Sequence, residues 1–221
     1  MGKTYVIVVA AGRSLRFGAD KQSALIKGKA VLDRVLESLQ QHREVDEIIL
    51  VLNKDRSGHG QYGRYPKVKK VVQGGMRRQD SVTAGFKEVG TDPENLVLIH
   101  DGARPLVKGD LVSRVIKAAR SSGAAVPALP MQDTVKTVKE NAVEKTLERS
   151  RLYRCQTPQG FRYSVLKPAL EKAVKDGYYG TDEASLVERT GGRVTVVPGD
   201  HTNIKITFPE DIHIAEVFVE D

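Results

Sequence analysis

The sequence predicts an α/β protein: a three-layer arrangement of helices on both faces of a mostly parallel central sheet, with a protruding β-hairpin arm. Three observations carry this. A continuous apolar, β-branched run at residues 5–9 and largely apolar runs at 47–52 and 96–101, the last ending in an acid, have the composition of buried strands. Stretches with apolar residues at helical spacing stand between strands, giving the order β-α-β-β-α-β-α-β, which implies parallel crossovers. Beyond Leu129 the pattern changes to two short alternating runs around a turn-like stretch at 139–142, a hairpin signal.

Each element has its own reason. Residues 29–39 place Leu32, Val35, Leu36 and Leu39 on one helical face. Residues 53–66 are polar and rich in Gly and Arg and read as a mobile loop. A short strand at 68–72 ends at Gly74 and Gly75, and a helix at 81–89 takes Asp80 or Ser81 as its cap. A helix from about Asp110 to Ala119 is closed by Gly123, and a strand follows at 124–129. The hairpin strands at 134–138 and 143–147 have one weakly apolar face. Such a pair is marginal alone, and the same arm of a second subunit is its most economical cover. A helix at 164–175 buries Val165, Leu166, Ala169, Leu170 and Ala173. Another takes Thr181 as N-cap, carries Asp182 and Glu183 in its first turn and stops at Gly191. Strands at 193–197 and 203–208 precede a last helix opened by Pro209. The whole reads as one domain over 1–221, with the arm at about 132–153.

With 221 residues, 40% hydrophobic and 29% charged, the chain has the composition of a globular protein with a real core. No apolar run approaches membrane-spanning length. The first apolar run lies too close to Met1 and runs too directly into a loop to be a signal peptide. Cys155 is the one cysteine, so an intrachain disulfide is impossible, and the expected compartment is the cytoplasm. The net charge is +7, but the cations are spread out and there are only 5 Phe and 7 Tyr. No basic-aromatic block suits nucleic acid; a basic pocket for small polyanions is the better explanation.

The stretch from Tyr5 to Lys21 organises the rest. A buried strand runs into the small residues Ala10, Ala11 and Gly12, then into a loop carrying Arg13, Arg16 and Lys21. Small residues let a backbone turn sharply and let a ligand approach, and α/β proteins build phosphate sites in this way at the carboxyl ends of strands. Asp101 ends the third strong strand at the same edge. An ionised acid beside a polyphosphate is repulsive unless a hard divalent cation intervenes. The plainer readings are a turn acid or a partner for Arg104.

Seven segments then occur in a specific order: AAGRSLRFGADKQ (10–22), GGMRRQDSV (74–82), HDGARP (100–105), DT (133–134), QTPQGF (156–161), TDEAS (181–185) and NIKIT (203–207). Together they closely resemble the 2-C-methyl-D-erythritol 4-phosphate cytidylyltransferases of the non-mevalonate isoprenoid pathway, over essentially the whole chain. The resemblance implies a Rossmann-like nucleotidyltransferase fold and transfer of CMP from CTP to a sugar-alcohol phosphate. It implies Mg²⁺ held at Asp101 and a homodimer joined through the arm. Arg16, Lys21 and Lys205 would carry catalysis by holding charge at the phosphates. Ala10, Ala11, Gly12, Gly75, Arg78, Ser81, Asp101 and Gly102 would bind CTP. Asp133, Thr134, Arg149, Thr157, Thr181 and Asp182 would bind the methylerythritol phosphate, those of the arm across the dimer. Plainer readings stand beside these: Asp182 as a helix-start acid, Arg149 as a solvated arm residue, and His100 as structural.

The first segment departs from the family pattern. Ser14 replaces a Gly, Ala19-Asp20 stands where a Pro is usual, and the loop is about two residues shorter, which alters the reach of Lys21. The ribitol 5-phosphate cytidylyltransferases resemble the chain in the same motifs, but HDGARP and TDEAS follow the methylerythritol type. A catalytically idle nucleotide-binding protein would not need both the metal acid and the phosphate-binding cations. There is no P-loop, dinucleotide fingerprint, zinc spacing or nucleophile elbow.

Overall fold

The computed structural model describes residues 2–54 and 62–219; half of the loop expected at 53–66, residues 55–61, therefore lies outside the described residues. Strand β1 (Thr4–Val9) is followed by the two-residue strands β2 (Leu25–Ile26) and β3 (Lys29–Ala30), then helix α1 (Val31–Gln41) and β4 (Glu47–Leu52). Strand β5 (Val68–Gln73), α2 (Arg78–Phe86), β6 (Leu96–Asp101), α3 (Gly109–Ser122) and β7 (Ala124–Pro130) come next. The arm is β8 (Lys136–Lys139) and β9 (Ala142–Thr146). A 3-10 turn at Arg149–Arg151 leads to β10 (Tyr153–Cys155), β11 (Gln159–Arg162), α4 (Tyr163–Lys175), α5 (Glu183–Arg189), β12 (Thr195–Pro198) and α6 (Glu210–Phe218).

One eight-stranded sheet organises the molecule. β1 lies between β4 and β6 and is parallel to both, with Ile7 opposite Ile49 on one side and Ile99 on the other. β5 continues the parallel run beside β4, and β12 is parallel to β7. β10 and β11 are antiparallel: β11 pairs with β6 and with β7, and β10 with β7. The β-branched runs are buried on both faces because each face carries its own core. Val6 and Val8 pack with Leu32, Val35, Leu36 and Leu39 of α1 and Leu111, Val115 and Ile116 of α3. Tyr5 and Ile7 pack with Val82 of α2, Leu166 and Leu170 of α4, and Leu186 and Val187 of α5. This alternation along β1 makes the three layers. A smaller cluster of Ile26, Val31, Ile206 and Ala215 seats α6. Among the described residues no helix is long and apolar enough to cross a membrane.

Several expectations are corrected. α2 begins at Arg78, three residues earlier than read, because Asp80 reaches back to accept from the Arg77 amide at 3.1 Å and so fixes the turn ahead of it. The N-cap of α5 is Asp182, not Thr181: its Oδ1 accepts from the Ser185 amide at 3.0 Å. Val165 is only half-buried, and Tyr163 takes its place on the inner face of α4. The strand expected at 203–208 does not form. Its donors are spent elsewhere: the Asn203 amide on the Asp200 carbonyl, the Ile206 amide on the Ala103 carbonyl, and the Thr207 and Phe208 amides on the Asp211 carboxylate. β10 and β11 were not foreseen. The arm hairpin is present, with Glu140 and Asn141 both at positive φ (49° and 65°) in its two-residue turn.

Candidate active site

β1 is the strand from which the chain moves outward in both directions, to β4 and β5 on one side and to β6 on the other. A crevice opens at the carboxyl end of such a strand. Here it is a cavity of about 560 Å³. Of the residues expected to act, Ala11, Gly12, Lys21, Gly75, Arg78, Ser81, Asp101 and Lys205 line it.

Small residues make the cavity's walls approach closely. A Cβ on Gly74 would lie 2.4 Å from the Ala11 Cβ and 2.7 Å from the Ser81 Oγ, so the end of β5, the first turn and α2 meet only because Gly74 has none. Ala10 is buried below the turn, its amide donating to the Val51 carbonyl at 2.8 Å. Gly102 does not line the cavity; it allows the end of β6 to pass 2.8 Å from the Ala10 Cβ, measured from the position its own Cβ would take. Ser14, which stands where the family pattern has Gly, takes a positive φ of 53°, so the backbone turns there as a Gly would allow.

Asp101 is the electrostatic centre. Its residue is 7% exposed. Oδ2 accepts from Lys205 Nζ at 2.7 Å and Oδ1 from Arg78 Nε at 3.2 Å, while Arg104 Nε lies 3.9 Å from Oδ2. Burial alone would favour the neutral acid, but Arg78, Lys205 and Arg104 outweigh it and hold the carboxyl well below the usual carboxylate range. Arg78 is desolvated too, yet Glu183 and Asp101 keep it firmly charged. Lys21 rests its ammonium on the Ile206 carbonyl at 3.2 Å; burial lowers its pKa, and Lys205 and Arg16 lower it further. Lys21, resting on a carbonyl beside two other cations, is short of negative charge, which is the electrostatic condition for binding a polyphosphate.

Thr157 and His100 lie behind Asp101. The Asp101 amide donates to Thr157 Oγ1 at 3.0 Å, and that hydroxyl meets His100 Nδ1 at 3.1 Å. His100 Nε2 is 3.2 Å from the Arg104 carbonyl. A hydroxyl already accepting from an amide has its proton left for Nδ1, so the ring is neutral with its hydrogen on Nε2. Burial pushes its pKa down from 6.5 to about 4. The unfolded chain therefore binds a proton between these values that the folded one refuses. We expect stability to fall as pH drops from 6.5 to 4, by about 3 kcal/mol from this residue. Urea midpoints at pH 7 and pH 4.5 measure it, and His100→Gln should flatten that part of the slope.

The other expected residues lie away from the cavity. Arg16 is exposed, its guanidinium 5.8 Å from the centroid of Phe208. Thr181 is exposed, and the Asp182 carboxylate is occupied by its helix and by Gln159 Nε2 at 2.7 Å. Asp133, Thr134 and Arg149 are exposed at the base of the arm, where Arg149 Nη1 donates to the Gln132 carbonyl at 2.5 Å. Within this one chain the cavity does not include them.

Three residues of the site were not foreseen. Glu183, 1% exposed, accepts from Arg78 Nη1 on both oxygens at 2.7 and 2.8 Å; burial pushes its pKa up more than Arg78 lowers it. Its signal was a second acid directly after Asp182. Gln22 and Asn53 line the cavity with buried oxygens that have no partner among the described residues. Such acceptors await a donor. Gln22 follows Lys21 within the first quoted segment; Asn53 had no signal beyond opening the loop after a strand.

Comparison with known proteins agrees with this arrangement. The family model described as 2-C-methyl-D-erythritol 4-phosphate cytidylyltransferase matches residues 4–221. The enzyme of that name from Syntrophus aciditrophicus is 46% identical over 215 residues, covering 95% of this chain and 92% of the relative. That from Bacillus licheniformis is 39% identical over 226 residues, covering 97% and 95%. The crystal structure of the Thermus thermophilus cytidylyltransferase superposes with a TM-score of 0.82 at 34% identity, over 99% of this chain and 98% of that one. The Francisella tularensis structure gives 0.86 at 31% identity, over 99% and 100%. With a sheet, a cavity and a cation-ringed acid at the strand ends, and likeness along nearly its entire length, the chain belongs to the 2-C-methyl-D-erythritol 4-phosphate cytidylyltransferase family.

Proposed function

We propose that the chain transfers the cytidylyl group of CTP to 2-C-methyl-D-erythritol 4-phosphate, giving 4-diphosphocytidyl-2-C-methyl-D-erythritol and pyrophosphate, in isoprenoid precursor biosynthesis. The observation that carries the reading is the convergence of Lys21, Arg78 and Lys205 with Asp101 in one cavity at the strand ends. A phosphate oxygen of the acceptor forms the new bond to the α-phosphorus in line with the bond that breaks, and pyrophosphate leaves with that electron pair. The acceptor phosphate is already anionic near neutral pH, so no general base is required. What the protein supplies is position and positive charge held in advance. Lys21 and Lys205 supply the charge inside the cavity, and Arg16 stands in the same loop as Lys21. Ser81 and the backbone beside Gly75 lie where the base and ribose would be read.

One hard carboxylate on the cavity wall suits Mg²⁺, which is commonly bound by one or two carboxylates with the substrate phosphates completing its shell. Asp101 would hold the ion, which supplies charge neutralisation and Lewis acidity to the phosphates when bound. Lys205 would then turn its ammonium from Asp101 to the phosphates.

The acceptor residues of the arm, Thr134 and Arg149 with Asp133, would serve the site of a second copy. Val138 and Val143 of the arm are 62% and 59% exposed, an apolar pair that a partner arm would cover. The proposed compartment is the cytoplasm, where a single free thiol such as Cys155 stays reduced.

Pyrophosphate release tests the function, measured with Mg²⁺, CTP and methylerythritol phosphate, with ribitol 5-phosphate and the other nucleoside triphosphates in parallel. Release confined to CTP with methylerythritol phosphate supports the reading. Release with ribitol 5-phosphate moves the acceptor; silence in a chain that binds CTP refutes catalysis. EDTA in the same assay tests the metal.

A further inference from the structure

Two segments far apart in sequence are fastened together beside the cavity. One is the start of α2, with Arg77, Arg78 and Gln79. The other is the loop from Tyr178 into α5, with Thr181 and Asp182. Gln79 Nε2 donates to the Tyr178 carbonyl at 3.0 Å, and its Oε1 accepts from the Gly180 amide at 2.9 Å. The Arg77 guanidinium lies 3.6 Å from the centroid of the Tyr179 ring. Between these, Arg78 is held from both ends: Nε on Asp101 Oδ1 at 3.2 Å, and Nη1 on both oxygens of Glu183.

We infer that Glu183 is a positioning residue of the nucleotide site: its buried carboxylate fixes the Arg78 guanidinium, and through Arg78 the Asp101 carboxylate, while joining the acceptor loop to the nucleotide wall. The inference rests on the proposed function, since it takes the cavity to be the CTP site.

The argument is one of geometry and charge. Arg78 has two anchors of one sign, and its planar fork is fixed only if both are present. Remove the charge of Glu183 and Arg78 is free to swing fully onto Asp101, whose Oδ1 it already meets. Asp101 would then be more fully neutralised by an arginine, and less able to hold a cation or leave Lys205 to the phosphates. Arg78 itself would shift along the cavity wall that it lines with Asp101. Glu183 touches neither the cavity nor, by this reading, either substrate. It acts through Arg78 alone. The Gln79 and Tyr179 contacts make the same junction rigid, so an error at Arg78 is carried to Thr181 and Asp182.

The test is a calorimetric titration of CTP with Mg²⁺ and no acceptor, on the full chain, with a double-mutant cycle. Glu183→Gln keeps the volume and removes the charge. Its CTP affinity should weaken by about tenfold or more. In an Arg78→Lys background the same replacement should change CTP affinity less than about twofold, because the fork that Glu183 holds is gone. A residue needed only for packing would cost the same in both backgrounds. Additive losses therefore overturn the inference, as does wild-type affinity in a folded Glu183→Gln chain. If Glu183→Gln shows no unfolding transition, Glu183→Asp answers the same question: it keeps the charge and shortens the reach. Weakened CTP binding supports the inference there, and unchanged binding overturns it. A wild-type chain that binds no CTP overturns the functional reading, and this inference with it; a wild type that binds CTP beside an unaffected Glu183→Gln overturns this inference only.

Discussion

Lys21→Ala is expected to lower kcat by about 10²–10³-fold while changing CTP affinity less than about tenfold. The reason lies in what Lys21 touches. Its ammonium rests on the Ile206 carbonyl, not on a carboxylate, inside the cavity and close enough to Lys205 for each to raise the energy of the other's charge. A ground-state triphosphate relieves that crowding in part. The transition state, with charge building on the leaving oxygen, relieves it further, and only this extra interaction appears in kcat. Pyrophosphate release and a CTP titration on the same preparation give both quantities. Equal losses in affinity and in kcat/KM would assign Lys21 to binding alone.

Asp101→Asn is expected to have the second large effect, on two observables at once. Activity should fall at least about a hundredfold, since the amide neither attracts a divalent ion nor anchors Arg78 and Lys205. Stability should fall by about 3 kcal/mol, the low end for a buried ion pair deprived of one partner, because the cavity leaves the cations partly hydrated. The folded-state pKa of Asp101 is depressed, so its contribution is fully present above about pH 4 and is lost as pH falls through the depressed value. The gap between wild-type and Asp101→Asn urea midpoints should therefore be constant from pH 6 to pH 8. A gap that closes towards pH 6 would show that Asp101 titrates there and that its cations do not hold it. Added CTP should widen the gap, because only the wild type gains fully from binding.

The sheet and its coverings were legible because their signal is redundant. The runs at 47–52 and 96–101 coincide with the observed strands, since a strand buried on both faces is apolar along most of its length. β10 and β11 were invisible for the opposite reason. Tyr153, Arg154 and Cys155 are exposed, and Gln159-Gly160-Phe161-Arg162 alternates too briefly to register. These strands are specified by the slot they fill. The Gly160 position, where a Cβ would meet Val115 Cγ1 at 2.8 Å, shows how tightly that slot is shut by α3. The segment at 203–208 misled in the other direction: its alternation is real, but it reports Ile206 in the α6 cluster and Lys205 on Asp101, not a sheet. The site followed the same division. Charged residues that follow a strand and its small-residue turn, such as Lys21 and Arg78, or that end a strand, such as Asp101, could be found. Glu183 is marked only as a helix-start acid after Asp182; its hold on Arg78, a partner 105 residues away, leaves no trace in the local sequence.

The antiparallel insertion of β11 between β6 and β7 sets an order of assembly. β1, β4, β5 and β6 can pair as soon as residues to 101 are available. β7, though made next, pairs with none of these strands; β10 can join it first, but only β11, made after β10, connects it to β6. Until then the outer edge of β6, Leu96–Asp101, is an open template of unpaired amides along a wholly buried sequence. On the ribosome, then, the chain passes through a stage with half a sheet and a sticky border that only its later half can seal. A truncation ending in the arm would keep that border permanently, and would be expected to aggregate where the full chain does not.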